Sequence, residues 1–397
     1  MAIQSFGPLQ RIAGLQSRMR GAGVEALLLN YSKSLFYYTG TTQPSFLIVS
    51  PGDYRLLVLR GIEHVSGESW LPADKIESSR RGLDDTAGIL EKWGIGGGVL
   101  GMELDVIPAN VYLKTAAAFQ RFEIADISGV ILDQRKIKDQ GEVEKIREAC
   151  RILHEGHKRI LQVLCEDMTE LQLSSEIEDA HRRAGHEGQY FIRQFDFYMG
   201  RGPVASGENL SRIAGKVQSI TGVGLSPAIP LGASRRELKR GDMIVVDIPT
   251  IYHGYHSDQS RTYAVGRAPD ACRDLYRGLR EIADRILARL RPGKSCDEVY
   301  AWALSFADEL GFSPYFMRLG GSAEKLAFVG HGLGLEVNEP PLIGKHTKEV
   351  LQEGMVVTLE MEMWKSDHEV VKLEDTLLLR EEGVEILTVT PRELHEV

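Results

Sequence analysis

Twice in its second half the chain writes an apolar strand, a polar break and a returning strand, with one carboxylate on each side of the break. Met243-Ile244-Val245-Val246-Asp247-Ile248 leads to Tyr252-His253-Gly254, and a strand from Tyr255 to Val265 follows, carrying Asp258. Val356-Val357-Thr358-Leu359-Glu360 and the run from Val370 to Leu377 repeat the device, with Glu360 and Glu374 equidistant from Asp367. His-Gly is a plausible tight turn, because glycine tolerates positive φ. A turn centred between residues 252 and 253 sets Asp247 opposite Asp258. A centre one residue later makes them diagonal neighbours, and either register keeps both on one face. The second hairpin brings Glu360 and Glu374 face to face.

Like charges opposed across a sheet destabilise it. A buried carboxylate pair must share a proton, find cations or bind metal. Taken singly, each acid has a plain alternative, pointing to solvent or pairing with Arg261 or Lys372. Two symmetric pairs in strands this apolar have a common explanation in divalent cations, for which carboxylates are good ligands and bridges. His331 adds an imidazole within Gly330-His331-Gly332-Leu333-Gly334, where glycines allow close approach of backbone and ion. A lone histidine is usually structural; beside four convergent acids it becomes a fifth candidate ligand.

The rest of the chain frames these hairpins. With 397 residues it has room for two or three domains. Leu9, Ile12, Leu15 and Met19 are spaced for a helix over residues 8–21. Strands are expected at 24–29, 46–49, 55–59 and 98–102, and helices near 83–93 and 108–120, giving an α/β domain over residues 1–134. The polar stretch from Gln134 to Asp139 then opens a long amphipathic helix from Glu142 to about Leu164, the start of a second domain over residues 135–397. Residues 165–191 and 290–316 resemble each other: a turn, a Thr or Ser helix start, an amphipathic helix, a glycine and an aromatic end. A duplicated half-domain is expected from this weak repeat.

Acidic residues outnumber basic ones, 56 to 47, which argues against nucleic acid as the main partner. Cys150, Cys165, Cys272 and Cys296 form no CxxC pair and read as free thiols. No run reaches 18 apolar residues and the N-terminus lacks a signal-peptide core, so a cytoplasmic protein without a membrane span is expected.

Taken together, these segments resemble the pita-bread metallopeptidases: Xaa-Pro aminopeptidases, prolidases, methionine aminopeptidases and the metal-free relative creatinase. Tyr37-Tyr38-Thr39-Gly40 is similar to part of the creatinase-type N-domain, and residues 135–149 to the linker helix that opens the catalytic domain. Asp247 and Asp258, with ten intervening residues, His331 in GHGLGLEVNEPP, Glu360 in GMVVTLE and Glu374 in KLEDT fill all five ligand positions of that family.

The resemblance implies a creatinase-like α/β N-terminal domain and an α+β pita-bread domain with pseudo-two-fold halves and a curved antiparallel sheet. It implies two divalent metal ions (Mn, Co, Zn or Fe), with Asp258 and Glu374 bridging, Asp247 completing one shell, and His331 and Glu360 the other. A metal-bridged water would be the nucleophile, Glu360 would handle its proton, and an N-terminal residue would be released from an Xaa-Pro peptide. A homodimer is implied as well.

The sequence departs from the family at the substrate-binding positions. Leu231 stands where a histidine is usual in a PHG-like stretch, and Asn338 stands for the histidine before Glu339. Met361, Ile248-Pro249 and Lys372 replace a proline, a small residue with glycine, and an arginine. Asn338, His253, Tyr255 and His256 are candidate substitutes for the missing donors. A metallopeptidase with altered substrate groups, the same metal scaffold redirected to a non-peptide hydrolysis or lyase reaction, and a non-catalytic binding protein are the three readings the sequence leaves open.

Overall fold

A computed structural model describes residues 7–197, 202–318, 320 and 324–397. One compact unit closes at Arg135 and the next opens at Lys136. The first holds α1 (Pro8–Ala22), β1 (Ala26–Leu29), α2 (Ser32–Thr39), β2 (Ser45–Val49), β3 (Tyr54–Val58), α3 (Ile62–Glu68), β4 (Ile76–Ser78), α4 (Leu83–Lys92), β5 (Gly98–Met102), α5 (Ala109–Ala118), β6 (Phe122–Asp126) and α6 (Ser128–Arg135). Its strands form one mixed sheet in the order β4-β3-β2-β1-β5-β6. The central strand, Ala26-Leu27-Leu28-Leu29, is buried throughout, which is why it reads as a continuous apolar run.

The second unit begins with α7 (Gln140–Val163), stopped at its N-terminus by Asp139, whose side chain accepts from the Glu142 N–H while Glu142 returns the favour. Next come α8 (Glu170–Arg183), β7 (Val204–Ser206), β8 (Met243–Asp247), β9 (Thr250–Tyr252), β10 (Tyr255–Ser257), β11 (Ser260–Ala264), α9 (Asp270–Leu287) and α10 (Cys296–Glu309). The chain ends with β12 (Phe328–Gly332), β13 (Glu339–Gly344), β14 (Val356–Trp364), β15 (Val370–Arg380), β16 (Gly383–Ile386) and β17 (His395–Glu396). The order β13-β12-β14-β15-β16 is antiparallel throughout, whereas in β17-β11-β8-β7 the C-terminal β17 runs parallel to β11. The second sheet is therefore mixed where an antiparallel one is expected, because the last residues add to its edge.

The weak repeat corresponds to two helix pairs, α7 with α8 and α9 with α10. Each second helix starts on a reciprocal cap: Gln172 accepts from the Thr169 N–H at 2.8 Å, and Glu298 from the Ser295 N–H at 2.9 Å. Thr169 and Ser295 each also make an isolated antiparallel bridge, to Glu237 and Val350. Each helix pair leads into one acid-bearing hairpin.

Strand periodicity sorts the second hairpin. Val357, Leu359, Met361 and Met363 of β14, with Val371, Leu373 and Leu377 of β15, join Leu275, Leu279, Ile282, Val299 and Phe306 of α9 and α10 in one core. Residues two apart share a face, so Glu360, Glu362, Lys372 and Glu374 all point the other way. The four cysteines are free, and no helix among the described residues is long and apolar enough to cross a membrane.

Candidate metal centre

Glu360 pairs directly with Glu374, in the register their equal distance from Asp367 suggests. The first hairpin takes the later of its two possible centres. His253 and Gly254 both have positive φ, 47° and 80°, as a two-residue hairpin turn requires, and Tyr252 faces Tyr255. Asp247 therefore pairs with Ser260, and Asp258, two residues earlier, is its diagonal neighbour on the same face. A methyl group at Gly330 would collide with the Thr358 carbonyl oxygen, so glycine there lets β12 lie close against β14 with His331 beside the acids.

These five side chains line one cavity of about 630 Å³. They form two overlapping groups, Asp258–His331–Glu374 and Asp247–Glu360–Glu374, with the donor atoms of each within 4.8 Å of one another. Glu374 belongs to both groups. His331 Nε2 lies 3.9 Å from Asp258 Oδ2, 3.9 Å from Glu360 Oε2 and 4.0 Å from Glu374 Oε1. His331 Nδ1 is 3.1 Å from the Gly332 carbonyl, which accepts only, so the ring proton belongs on Nδ1 and the Nε2 lone pair faces the carboxylates.

The acids are under electrostatic load. Burial raises Asp258 well above the usual carboxylate range, and the charges of Asp247 and Glu360 raise it further. Burial likewise raises Glu374, assisted by Asp258 and Glu360. Burial would raise Glu360 too, but Lys372 and His331 beside it bring it below its ordinary value. Glu374 Oε2 accepts from Ser260 Oγ at 2.9 Å, while Glu374 Oε1 is buried and accepts no hydrogen bond. An orphaned carboxylate oxygen facing an imidazole lone pair is a group short of a cation, and a mixed oxygen and nitrogen donor set suits divalent transition ions. The residues fit a metal.

The sequence of residues 144–381 matches the model of metallopeptidase family M24, and residues 11–137 match the creatinase/prolidase N-terminal domain. The chain belongs to metallopeptidase family M24. It is 27% identical over 393 residues to the Xaa-Pro dipeptidase of Pyrococcus furiosus, covering 97% of this chain and 99% of that one. Among solved structures it is similar to the Xaa-Pro dipeptidase from Bacillus anthracis, with a TM-score of 0.82, 25% identity and coverage of 98% and 99% of the two chains. The prolidase from Pyrococcus horikoshii gives a TM-score of 0.79, 25% identity and coverage of 97% and 99%. As an M24 metallopeptidase the chain is a metal-dependent hydrolase, and its creatinase/prolidase N-terminal domain precedes the catalytic one.

Within this M24 site the remaining candidates separate. Asn338 is exposed and lines the cavity. Leu231 is buried and does not line it. His256 is wholly buried, with Nδ1 3.0 Å from the Gly334 carbonyl and Nε2 accepting from the Phe191 N–H at 3.2 Å, so it braces the glycine loop after His331 and lies outside the cavity lining. Tyr255 donates to Glu142 at 2.9 Å, also away from the cavity, and His253 sits in the hairpin turn.

Sequence reasoning missed Ser219 and Glu362. Ser219 comes from a stretch without periodicity and takes a 2.7 Å hydrogen bond from Lys372. Glu362, opposite Lys372 in the β14–β15 ladder, is pushed by burial up to about 8. The signal for Glu362 was present, since Glu360-x-Glu362 and Lys372-x-Glu374 must each share a strand face.

Proposed function

We propose that this chain is a metal-dependent Xaa-Pro dipeptidase or aminopeptidase that uses two divalent ions held by Asp247, Asp258, His331, Glu360 and Glu374, in a catalytic domain of residues 135–397 that follows an N-terminal domain of residues 1–134. The observation that carries this reading is that all five side chains, drawn from four separate stretches of sequence, bound one cavity as two groups sharing Glu374. The names of the P. furiosus and B. anthracis relatives support the substrate class.

Held by these five residues, divalent ions would supply Lewis acidity toward the scissile carbonyl and toward water near neutral pH. Glu360, held below the usual carboxylate range, is ionised at neutral pH and serves as proton acceptor. Asn338 offers an amide N–H to the substrate from the cavity wall; it donates a hydrogen bond but carries no proton. His256 contributes by position, fixing Gly334. Ile192, Phe197, Val337 and Leu342 give the cavity an apolar side suited to a prolyl ring. A resident ion drawn from Mn, Co, Zn and Fe and a homodimer belong to the same reading on the family resemblance, and a cytoplasmic location on the N-terminus without a signal-peptide core and the lack of a long apolar run.

The test is a panel of Xaa-Pro and Xaa-Ala dipeptides with chelated protein, before and after addition of Mn²⁺. Release of the N-terminal residue from Xaa-Pro members only when metal is restored is the expected result. Protein that binds metal yet leaves every peptide intact would overturn the peptidase reading in favour of a redirected scaffold.

A further inference from the structure

The turn that carries Asn338 is held by buried charge. Glu339, the next residue, is buried, and its carboxylate faces two partners. Its Oε1 accepts from the Glu336 N–H at 3.1 Å, and its Oε2 lies 3.4 Å from Nζ of Lys138, which is buried too. The carboxylate also packs against Gly334, where a methyl group would come within 2.9 Å of both oxygens. Further ties fix the same turn: the Gly334 N–H donates to the Glu336 carbonyl at 3.0 Å, the Val337 N–H donates to the Phe191 carbonyl at 2.8 Å, and the Glu336 carboxylate lies 3.7 Å from Arg193 Nη1. Asn338 is the exposed residue of this frame and lines the cavity. Lys138 comes from 201 residues away. Its own place is set by backbone, its N–H donating to the Gly354 carbonyl at 2.8 Å while Ile137 bridges to Met355. Lys136, on the other side of Ile137, reaches a second glutamate of the cavity wall, with Nζ 2.5 Å from Glu349 Oε1. One short stretch at the start of the second unit thus sends two ammonium groups to the wall, and neither lysine lines the cavity itself.

We infer that Lys138 is a positioning residue: it holds Glu339, and through Glu339 the turn of residues 334–338, so that the Asn338 amide meets the substrate. A buried carboxylate that loses its cation takes up a proton or moves toward water. Movement breaks its bond to the Glu336 N–H. Protonation weakens that bond, because hydrogen bonds to a charged acceptor are the stronger ones. Either way the turn loosens at the residue before the amide donor. The loss falls on substrate contact and spares the ions, because neither Lys138 nor Glu339 is among the five candidate ligands. This inference rests on the reading that the site is that of a peptidase and that Asn338 contacts its substrate.

The test is a double-mutant cycle over Lys138 and Asn338 in the full-length protein with Mn²⁺ added. It reads kcat/KM for an Ala-Pro dipeptide, metal content, and amide hydrogen exchange over residues 334–338. Lys138→Met alone should lower kcat/KM about tenfold, the scale of one hydrogen bond, with metal content unchanged. Beside Asn338→Ala it should lower it less than about twofold, because both changes remove the same contact. Exchange at Glu336 and its neighbours should quicken in Lys138→Met. If Lys138→Met does not fold, Glu339→Gln, which keeps the shape of the wall and removes the charge, takes its place in the cycle with the same expectations. Equal losses of kcat/KM in both backgrounds, or exchange over 334–338 unchanged, would overturn the positioning role. Quickened exchange in a protein that cleaves no dipeptide in any form would overturn the peptidase reading beneath it, and would support the hold of Lys138 on the turn.

Discussion

Glu374 and Asp375 are neighbours on β15, both buried, and they point to opposite faces of the strand. Asp375 faces the helices and is neutralised by the chain itself. Arg261 Nη2 lies 2.6 Å from Asp375 Oδ1, Arg392 Nε 2.7 Å from Oδ2, and Thr388 donates to Oδ1 at 2.7 Å. Burial alone would raise Asp375, but the two guanidinium groups hold it below the usual carboxylate range. Glu374 faces three other acids and an imidazole and, among the described residues, has no lysine or arginine at ion-pair distance; burial with Asp258 and Glu360 drives it the other way. One face is a finished ion pair, and the other gathers more carboxylate than its one lysine, Lys372, neutralises. A buried acid alone says little about function; what identifies the site is that its neighbours leave the charge unmet.

This contrast is sharpest under substitution. Glu374→Gln and Asp258→Asn should each lower hydrolysis of an Xaa-Pro dipeptide by roughly three orders of magnitude, because several kcal/mol of metal-borne stabilisation go with the ligand. The metal-free fold should be no less stable, since one repelling charge is gone, and chemical denaturation beside the activity assay measures both. Asp375→Asn should do the reverse in the metal-free protein, costing about 3 kcal/mol of unfolding free energy by leaving the buried Arg261 without its carboxylate and removing one of the two acids on half-buried Arg392. Equal stability losses for Glu374→Gln and Asp375→Asn would erase the distinction. Asn338→Ala is expected to lower kcat/KM by about tenfold, one hydrogen bond's worth, with metal content unchanged.

The smallest effect is in pH dependence, where the two faces have opposite signs. Asp258, Glu374 and Glu362 have folded-state pKa values above their ordinary ones, so their contribution to stability is present at low pH and is lost as pH rises through the folded values, about 8 for Glu362. Asp375 is held low, so its contribution is present above the ordinary carboxylate pKa and is lost as pH falls through the folded one. Four histidines held low, His154, His157, His181 and His395, add stability as pH rises to about 7, so the fall belongs above that range: denaturation midpoints of metal-free protein should fall from pH 7 to pH 9, and Glu362→Gln should reduce that slope. Midpoints that rise over this range would contradict the assignment.

Much of the site was legible because strands obey simple arithmetic. The equal spacing of Glu360 and Glu374 from Asp367 gave their pairing directly, and the amphipathic pattern marked the helix from Glu142. The first hairpin was legible only to within one residue, since its register depends on whether His253 joins Gly254 at positive φ, and histidine does not announce that. The short edge strands β4 and β6, half-buried or exposed, lack the apolar runs that marked β1 and β2. The contact of Lys372 with Asp247 spans 125 residues and joins strands of different sheets, so no local pattern encodes it. The alternative that Lys372 pairs with an acid and the alternative that the acids serve metal were posed as rivals, and the structure allows both at once.

The most direct test is an anomalous difference map from crystals grown with Mn²⁺. The account predicts density among Asp247, Asp258, His331, Glu360 and Glu374, and none at Asp375. A map with no peak in that cavity, or with its peak elsewhere, would contradict it.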